Sequence, residues 1–262
     1  MRFYPYIFIS LMLSVGTMGC KSFNAFSIDQ DKQLGDQVSS EIASKPKEYP
    51  LLPESGNAEL YSYVRSLVQT ILNTGTVTNK NNFSWNVKII DDPKVLNAFC
   101  TPGGHIYVYT GLIKFLDSED ELIGVMGHEI AHADLRHSTK QLTKQYGISI
   151  ITEALVGNQS ALAQIAASLA GGLAGLQFSR SDESEADAQS VTYLCGTNYK
   201  ADGAAGFFRK MEAKGGNPPE WLSTHPNPSN RIANMEKKKN QLGCTGTETN
   251  TAAYARIKSL IK

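Results

Sequence analysis

Two histidines four positions apart, with a glutamate between them, constrain this chain more than any other feature: His128-Glu-Ile-Ala-His132. On an α-helix, residues i and i+4 share a face, so both imidazoles can reach one metal ion. Glu129 projects beside them, where it can take a proton from metal-bound water. The preceding stretch supports a helix. Ser118-Glu-Asp-Glu121 has the spacing of a capping box, and Leu122, Val125, Met126 and Ile130 recur at the intervals of a buried stripe. Zn2+, one per chain, suits such a site, because two imidazoles and one carboxylate leave a fourth position for water. The chain must therefore fold so that a carboxylate from elsewhere meets this helix face.

Ser138 occupies the place six residues after His132 where a third histidine would stand, which leaves a carboxylate as the third ligand. Ser179-Arg-Ser-Asp-Glu-Ser-Glu-Ala-Asp187 opens a predicted helix over 181–194 and supplies several. Glu183 and Asp187 are four apart and share a face. One can bind the metal while the other accepts the second N–H of a ligating histidine and fixes its tautomer. Glu185 points about 200° around the helix from Glu183, away from the metal if Glu183 faces it. The plain alternative for the acidic run is a solvated helix start that complements the dipole.

The 25 basic and 25 acidic residues cancel, and the one basic run, residues 237–239, reads as a solvated helix face. Nucleic-acid binding is not expected. Arg2, the apolar run 6–15 and the small-residue segment Gly16-Thr-Met-Gly-Cys20 have the three-part layout of a signal peptide, too short for a membrane span. Gly19-Cys20 resembles a bacterial lipobox, so residues 1–19 are expected to be removed and Cys20 lipidated. Plain secretion and an uncleaved anchor are the alternatives. Export implies an oxidising compartment. Cys195 closes one predicted helix and Cys244 follows another, so these two are expected to pair, with Cys100 as buried packing.

The expected fold is α+β and mainly helical, with a small β-sheet beside the His-Glu-x-x-His helix. Residues 20–55 read as a tether and a surface helix, 56–243 as the catalytic domain and 244–262 as a C-terminal tail. Leu60, Val64, Leu67, Val68, Ile71 and Leu72 predict an amphipathic helix over 57–73. Trp85, Val87 and Ile89 alternate as a half-buried strand, and Pro102-Gly-Gly104 joins two further strand segments. Residues 147–176 read as two packed helices around a Gly157-Asn turn, and helices near 202–214 and 228–241 flank a Pro-rich turn at 215–219. His105 is expected on a strand face and His137 as a structural residue at the helix end.

His-Glu-x-x-His followed by Ser179-Arg-x-x-Glu183-x-x-Ala-Asp187 resembles the gluzincin metallopeptidases typified by the CAAX prenyl endopeptidase and the HtpX protease. Three more stretches resemble their exported branch, to which BepA and the lipoprotein LoiP belong. They are Asn97-Ala-Phe with 102–112, Ala131-His-Ala-Asp-Leu-Arg-His137, and 223–232. The resemblance implies a zincin-like fold, a zinc endopeptidase and polypeptide substrates. It assigns the zinc carboxylate to Glu183, leaves Asp187 behind a ligand, and brings His225 to the metal as a gate or as a donor to the developing oxyanion. It also implies a periplasm-facing outer-membrane lipoprotein of the bacterial envelope that removes misassembled envelope proteins and contacts the assembly machinery. A chaperone-like assembly factor with a latent zinc site is the alternative. Extended peptides bind such enzymes by adding a strand to an exposed sheet edge. Asn97, Ala98, Phe99, Gly103, Gly104, Ile106 and Val108 are the expected edge, an ordinary inner strand being the other reading.

Overall fold

The computed structural model describes residues 23–149, 151–152, 159–172, 177–214, 221–227 and 230–262. The signal peptide with Cys20, the Gly157-Asn turn and the turn at 215–219 lie outside the described residues. No helix among those described is long and apolar enough to cross a membrane.

The chain is mainly helical. Helices α1 (Ile28–Ala43) and α2 (Ala58–Leu72) precede strands β1 (Val87–Ile90), β2 (Ala98–Cys100) and β3 (Ile106–Tyr109). Then come α3 (Thr110–Phe115), α4 (Glu119–Asp134), α5 (His137–Tyr146), α6 (Gln159–Gly171), α7 (Arg180–Leu194), α8 (Ala204–Lys214), α9 (Trp221–Thr224), α10 (Arg231–Leu242) and α11 (Thr251–Ser259).

The motif helix α4 is the axis of the fold, with every residue but Glu121 buried. A helix buried all round needs close neighbours on every side, and its glycines supply the room. A Cβ on Gly124 would stand 2.2 Å from the Ala204 backbone nitrogen, so only glycine lets α8 approach this closely. The Ser190 hydroxyl of α7 donates to the Gly124 carbonyl at 2.9 Å. At the far end Asp134 accepts from the Thr78 and Asn79 N–H groups (3.1 and 2.6 Å) and from the Tyr193 hydroxyl (2.6 Å), fixing where the helix stops. The expected capping box at its start does not form. The Ser118 hydroxyl donates to Asp120 and caps no helix N–H, while Glu121 accepts from the Asp117 N–H at 2.8 Å.

The three strands form one sheet in the order β1-β3-β2, with β1 parallel and β2 antiparallel to β3. Trp85 lies outside β1. Its φ of 48° breaks the alternation, and its indole donates to the Lys80 carbonyl at 3.0 Å. The 102–104 turn joins β2 to β3 with Gly103 and Gly104 at φ of 75° and 88°, which a side chain would resist.

Both ends of the chain differ from expectation. Leu34, Val38 and Ile42 of α1 are fully buried, packed in a second apolar cluster with Leu162, Ile165 and Leu169 of α6, so α1 is no surface helix. The 244–262 segment is no tail, because Tyr254 and Ile257 of α11 enter the main core and the Tyr254 hydroxyl donates to the Ile113 carbonyl at 2.7 Å. A disulfide joins Cys195 at the end of α7 to Cys244 just past α10.

Candidate metal centre

His128 and His132 leave α4 on the face that meets the first turn of α7. That turn is placed by a reciprocal cap between Ser179 and Asp182, which puts Glu183 one position further into the helix. His225 comes from the end of α9. Its N–H donates to the Trp221 carbonyl at 3.0 Å, and its ring stacks on the Trp221 indole at 4.2 Å.

These four side chains converge. Glu183 Oε2 lies 3.4 Å from His128 Nε2, and Oε1 lies 3.3 Å from His132 Nε2. His225 Nδ1 is 3.0 Å from Glu183 Oε1 and 3.3 Å from His128 Nε2. The donor atoms all lie within 4.8 Å of one another, and every one of the residues is buried.

The donor chemistry suits a cation. His128 Nδ1 is 2.9 Å from Asp187 Oδ1, and a carboxylate only accepts, so Nδ1 carries the proton and Nε2 presents a lone pair to the centre. It meets His132 Nε2 at 3.0 Å beside the carboxylate of Glu183. Charge points the same way. Glu129, Glu183 and Asp187 are buried beside the guanidinium of Arg231, so carboxylates outnumber permanently cationic side chains at the centre, an excess that a divalent ion would offset. With protons alone, burial would lower His128, but Asp187 and Glu183 outweigh it and raise the imidazole to about 9. Burial would likewise raise Glu183, yet His225, His128 and His132 hold it below the usual carboxylate range.

Glu129 sits at the edge of this cluster, 1% exposed, with Oε1 3.6 Å from His225 Nε2 and 3.4 Å from the Trp221 indole N–H. Burial pushes its carboxyl up, towards a value at which it can both take and release a proton.

Two neighbours of the centre were not singled out in the sequence. Arg231 donates to both oxygens of Asp187 (2.9 and 2.7 Å) and to Glu183 Oε2 (3.3 Å), with its guanidinium 3.7 Å from the Phe208 ring centroid. Its one signal in the sequence was its place in the 223–232 stretch. Phe178 stacks on His132 at 4.0 Å. Glu185 does turn away from the donor cluster, but it reaches His137, the buried residue that opens α5 and lies against His132. His105 ends the 102–104 turn instead of standing on a strand face, and its Nε2 is 3.0 Å from Asp36 of α1.

The expected substrate edge is only partly where it was placed. Ile106 and Val108 lie in the central strand, hydrogen-bonded on both sides, and offer no edge. Gly103 packs on α1 at Asp31 and Lys32, and Gly104 against Phe83 and Trp85, so both serve the turn. Antiparallel pairing alternates the direction of main-chain groups. Tyr109 donates to the Asn97 carbonyl and Thr101 to that of His105, so Asn97, Phe99 and Thr101 face β3 while Ala98 and Cys100 face the other way. Cys100, Thr101 and the Phe99 side chain line a cleft with Glu129, His225, Phe178, Val38 and Leu169. Cys100 is a free, buried thiol, and burial with Glu129 nearby pushes it up, so it is no nucleophile.

Comparison with known proteins places this chain among peptidases. The model of Peptidase family M48 matches residues 58–239. The chain is similar to the mitochondrial metalloendopeptidase OMA1 of Arabidopsis thaliana, 34% identical over 149 residues that make up 56% of this chain and 30% of the relative. It is also similar to the beta-barrel assembly-enhancing protease of Yersinia pestis, 27% identical over 241 residues (86% and 47%). The OMA1 of Schizosaccharomyces pombe is 28% identical over 220 residues (83% and 63%). The chain thus spans less than two thirds of the length of each of these relatives.

Proposed function

Because the chain belongs to peptidase family M48, and so is a metalloendopeptidase, we propose that it hydrolyses peptide bonds with one zinc ion held by His128, His132 and Glu183. The observation that carries this is the convergence of those donors in a buried pocket, with Glu129 at its edge. Imidazole with carboxylate is a donor set for zinc more than for calcium or magnesium, which prefer oxygen alone. Zinc supplies a Lewis acid for the scissile carbonyl and lowers the pKa of water at the open position.

The remaining work belongs to side chains of this chain. Glu129 takes the proton of the attacking water and passes it to the leaving amine. Asp187 holds His128 in its ligating tautomer, and Arg231 holds Asp187. His225 occupies the fourth side of the donor set in the arrangement described, and this favours a second reading in which the enzyme rests closed. Withdrawal of His225 frees that side for water and substrate and leaves the imidazole as a donor to the oxyanion. A substrate strand then lies along β2, using the main chain of Ala98 and Cys100, with an apolar side chain between Phe99, Leu169 and Phe178.

The envelope assignment rests on the lipobox at Cys20 and on the Cys195–Cys244 disulfide, which suits an oxidising compartment. Two relatives whose matches cover most of this chain differ by name, a mitochondrial metalloendopeptidase and a beta-barrel assembly-enhancing protease. The bacterial signal at Cys20 favours the second, with misassembled envelope proteins as substrates and contact with the assembly machinery. The test is casein cleavage by the purified protein before and after a zinc chelator, with zinc then restored. Cleavage that stops and returns supports the reading, and cleavage indifferent to chelation overturns it. His225→Ala cleaving faster than the wild type supports the closed resting form.

A further inference from the structure

The two histidines of the motif are supported differently. His128 hands its Nδ1 proton straight to a carboxylate, Asp187, at 2.9 Å. Among the described residues no carboxylate stands at His132 Nδ1. It faces another imidazole nitrogen, His137 Nδ1, at 3.0 Å, with both rings buried. Such a contact is attractive only when one nitrogen carries a proton and the other a lone pair. The choice is made on the far side of His137, where Nε2 lies 3.2 Å from Glu185 Oε2. A carboxylate accepts only, so the His137 proton is on Nε2 and its Nδ1 is bare. His132 therefore donates through Nδ1, which leaves its Nε2 bare and aimed at Glu183 and His128.

We propose that Glu185 and His137 form a positioning relay that selects the metal-ligating tautomer of His132, so that polarity at the exposed end of the relay governs the metal site. The fold holds the relay rigid. Arg136 takes a φ of 61°, which turns the chain from α4 into α5 and sets His137 under His132. Phe178 stacks on His132 at 4.0 Å and lies with its centroid 6.2 Å from that of His137. Asp182 is close enough to share the acceptor role, but its Oδ2 already accepts from the Ser179 N–H at 3.0 Å and hydroxyl at 2.7 Å. Glu185 is 57% exposed at its side chain, so its replacement leaves the core intact.

The inference rests on His132 being a metal ligand, and its test reads zinc binding instead of proteolysis. Zinc affinity of the full chain is measured by competition with a chromophoric chelator for the wild type, His137→Phe, Glu185→Lys and Glu185→Gln. Nitrogen chemical shifts of the His132 ring, in the zinc-free protein, report its tautomer. Glu185→Gln still offers an oxygen to His137 and is expected to bind zinc as the wild type does. Glu185→Lys presents a donor, reverses the relay, moves the His132 proton to Nε2 and weakens zinc roughly 10- to 100-fold, the range for lost outer partners of a ligand. His137→Phe keeps the ring volume and is expected to lose affinity in the same range. Wild-type zinc affinity in both His137→Phe and Glu185→Lys overturns the relay, as does a wild-type His132 protonated at Nε2. A protein that binds zinc as expected but cleaves no casein would overturn the peptidase reading and leave the relay standing.

Discussion

Replacing Arg231 by methionine isolates what the buried charges around the metal require. The side chain is 1% exposed and donates to three carboxylate oxygens, two on Asp187 and one on Glu183. Methionine can still fill space against Phe208 but removes the charge, its hydrogen bonds and the guanidinium stacking on that ring. Breaking a buried ion pair from one side costs about 3–5 kcal/mol, because the partner stays behind unpaired. For a chain of this size each kcal/mol moves the Tm by about 2–4 °C, so the zinc-free variant should melt roughly 6–20 °C lower. With zinc bound, the ion bears directly on Glu183, and the loss should fall to the lower end of that range. Adding Asp187→Asn removes the stranded charge and should restore at least about 1 kcal/mol of the deficit, a coupling expected of residues in one network. Thermal and urea melts of the three proteins, zinc-free and zinc-loaded, measure all of this. A zinc-free Arg231→Met within about 0.5 kcal/mol of the wild type would refute the reasoning, since that is what a surface substitution does.

Other outcomes follow from the same geometry. Reducing the Cys195–Cys244 disulfide, which spans 49 residues, should cost roughly 4 kcal/mol, and an unchanged urea midpoint under reductant would count against it. Chelating the metal should lower the Tm, because zinc at about 1,000 times its Kd contributes about 4 kcal/mol; equal melts with and without chelator would contradict a zinc site in the folded protein. Catalysis needs Glu129 ionised, and burial raises its carboxyl above 4.5, so kcat/KM should fall with decreasing pH along a limb centred above that value. A limb centred at or below 4.5 would contradict the buried base.

What was legible in the sequence was what helix geometry alone decides. His128 and His132 share one face because of their spacing, with Glu129 beside them, and Glu183 and Asp187 share another, so the candidate donors could be paired before any fold was known. What was not legible depends on what stands opposite a face. Glu185 does point away from Glu183, but nothing in its own helix tells that His137 waits there. Arg231 lies 44 residues beyond Asp187, and a lone arginine in the first turn of a helix carries no mark of burial. The same holds for the sheet. Alternation over 105–110 and the Pro102-Gly-Gly104 turn announced strand segments on either side of that turn, yet the parallel pairing with β1 that makes β3 central is a tertiary event, and it removed Ile106 and Val108 from the edge. The N-terminal helix looked like a surface element because its mate, α6, was only one among several apolar stretches.

The central claim is that Glu129 is the base of a zinc peptidase, and Glu129→Gln tests it most directly. Zinc content and casein cleavage are measured on the same preparations of the wild type and the variant. The account predicts one zinc per chain in both and a loss of about 10²- to 10⁴-fold in cleavage by the variant, the usual contribution of a general base. A zinc-loaded variant that cleaves casein at the wild-type rate would contradict it.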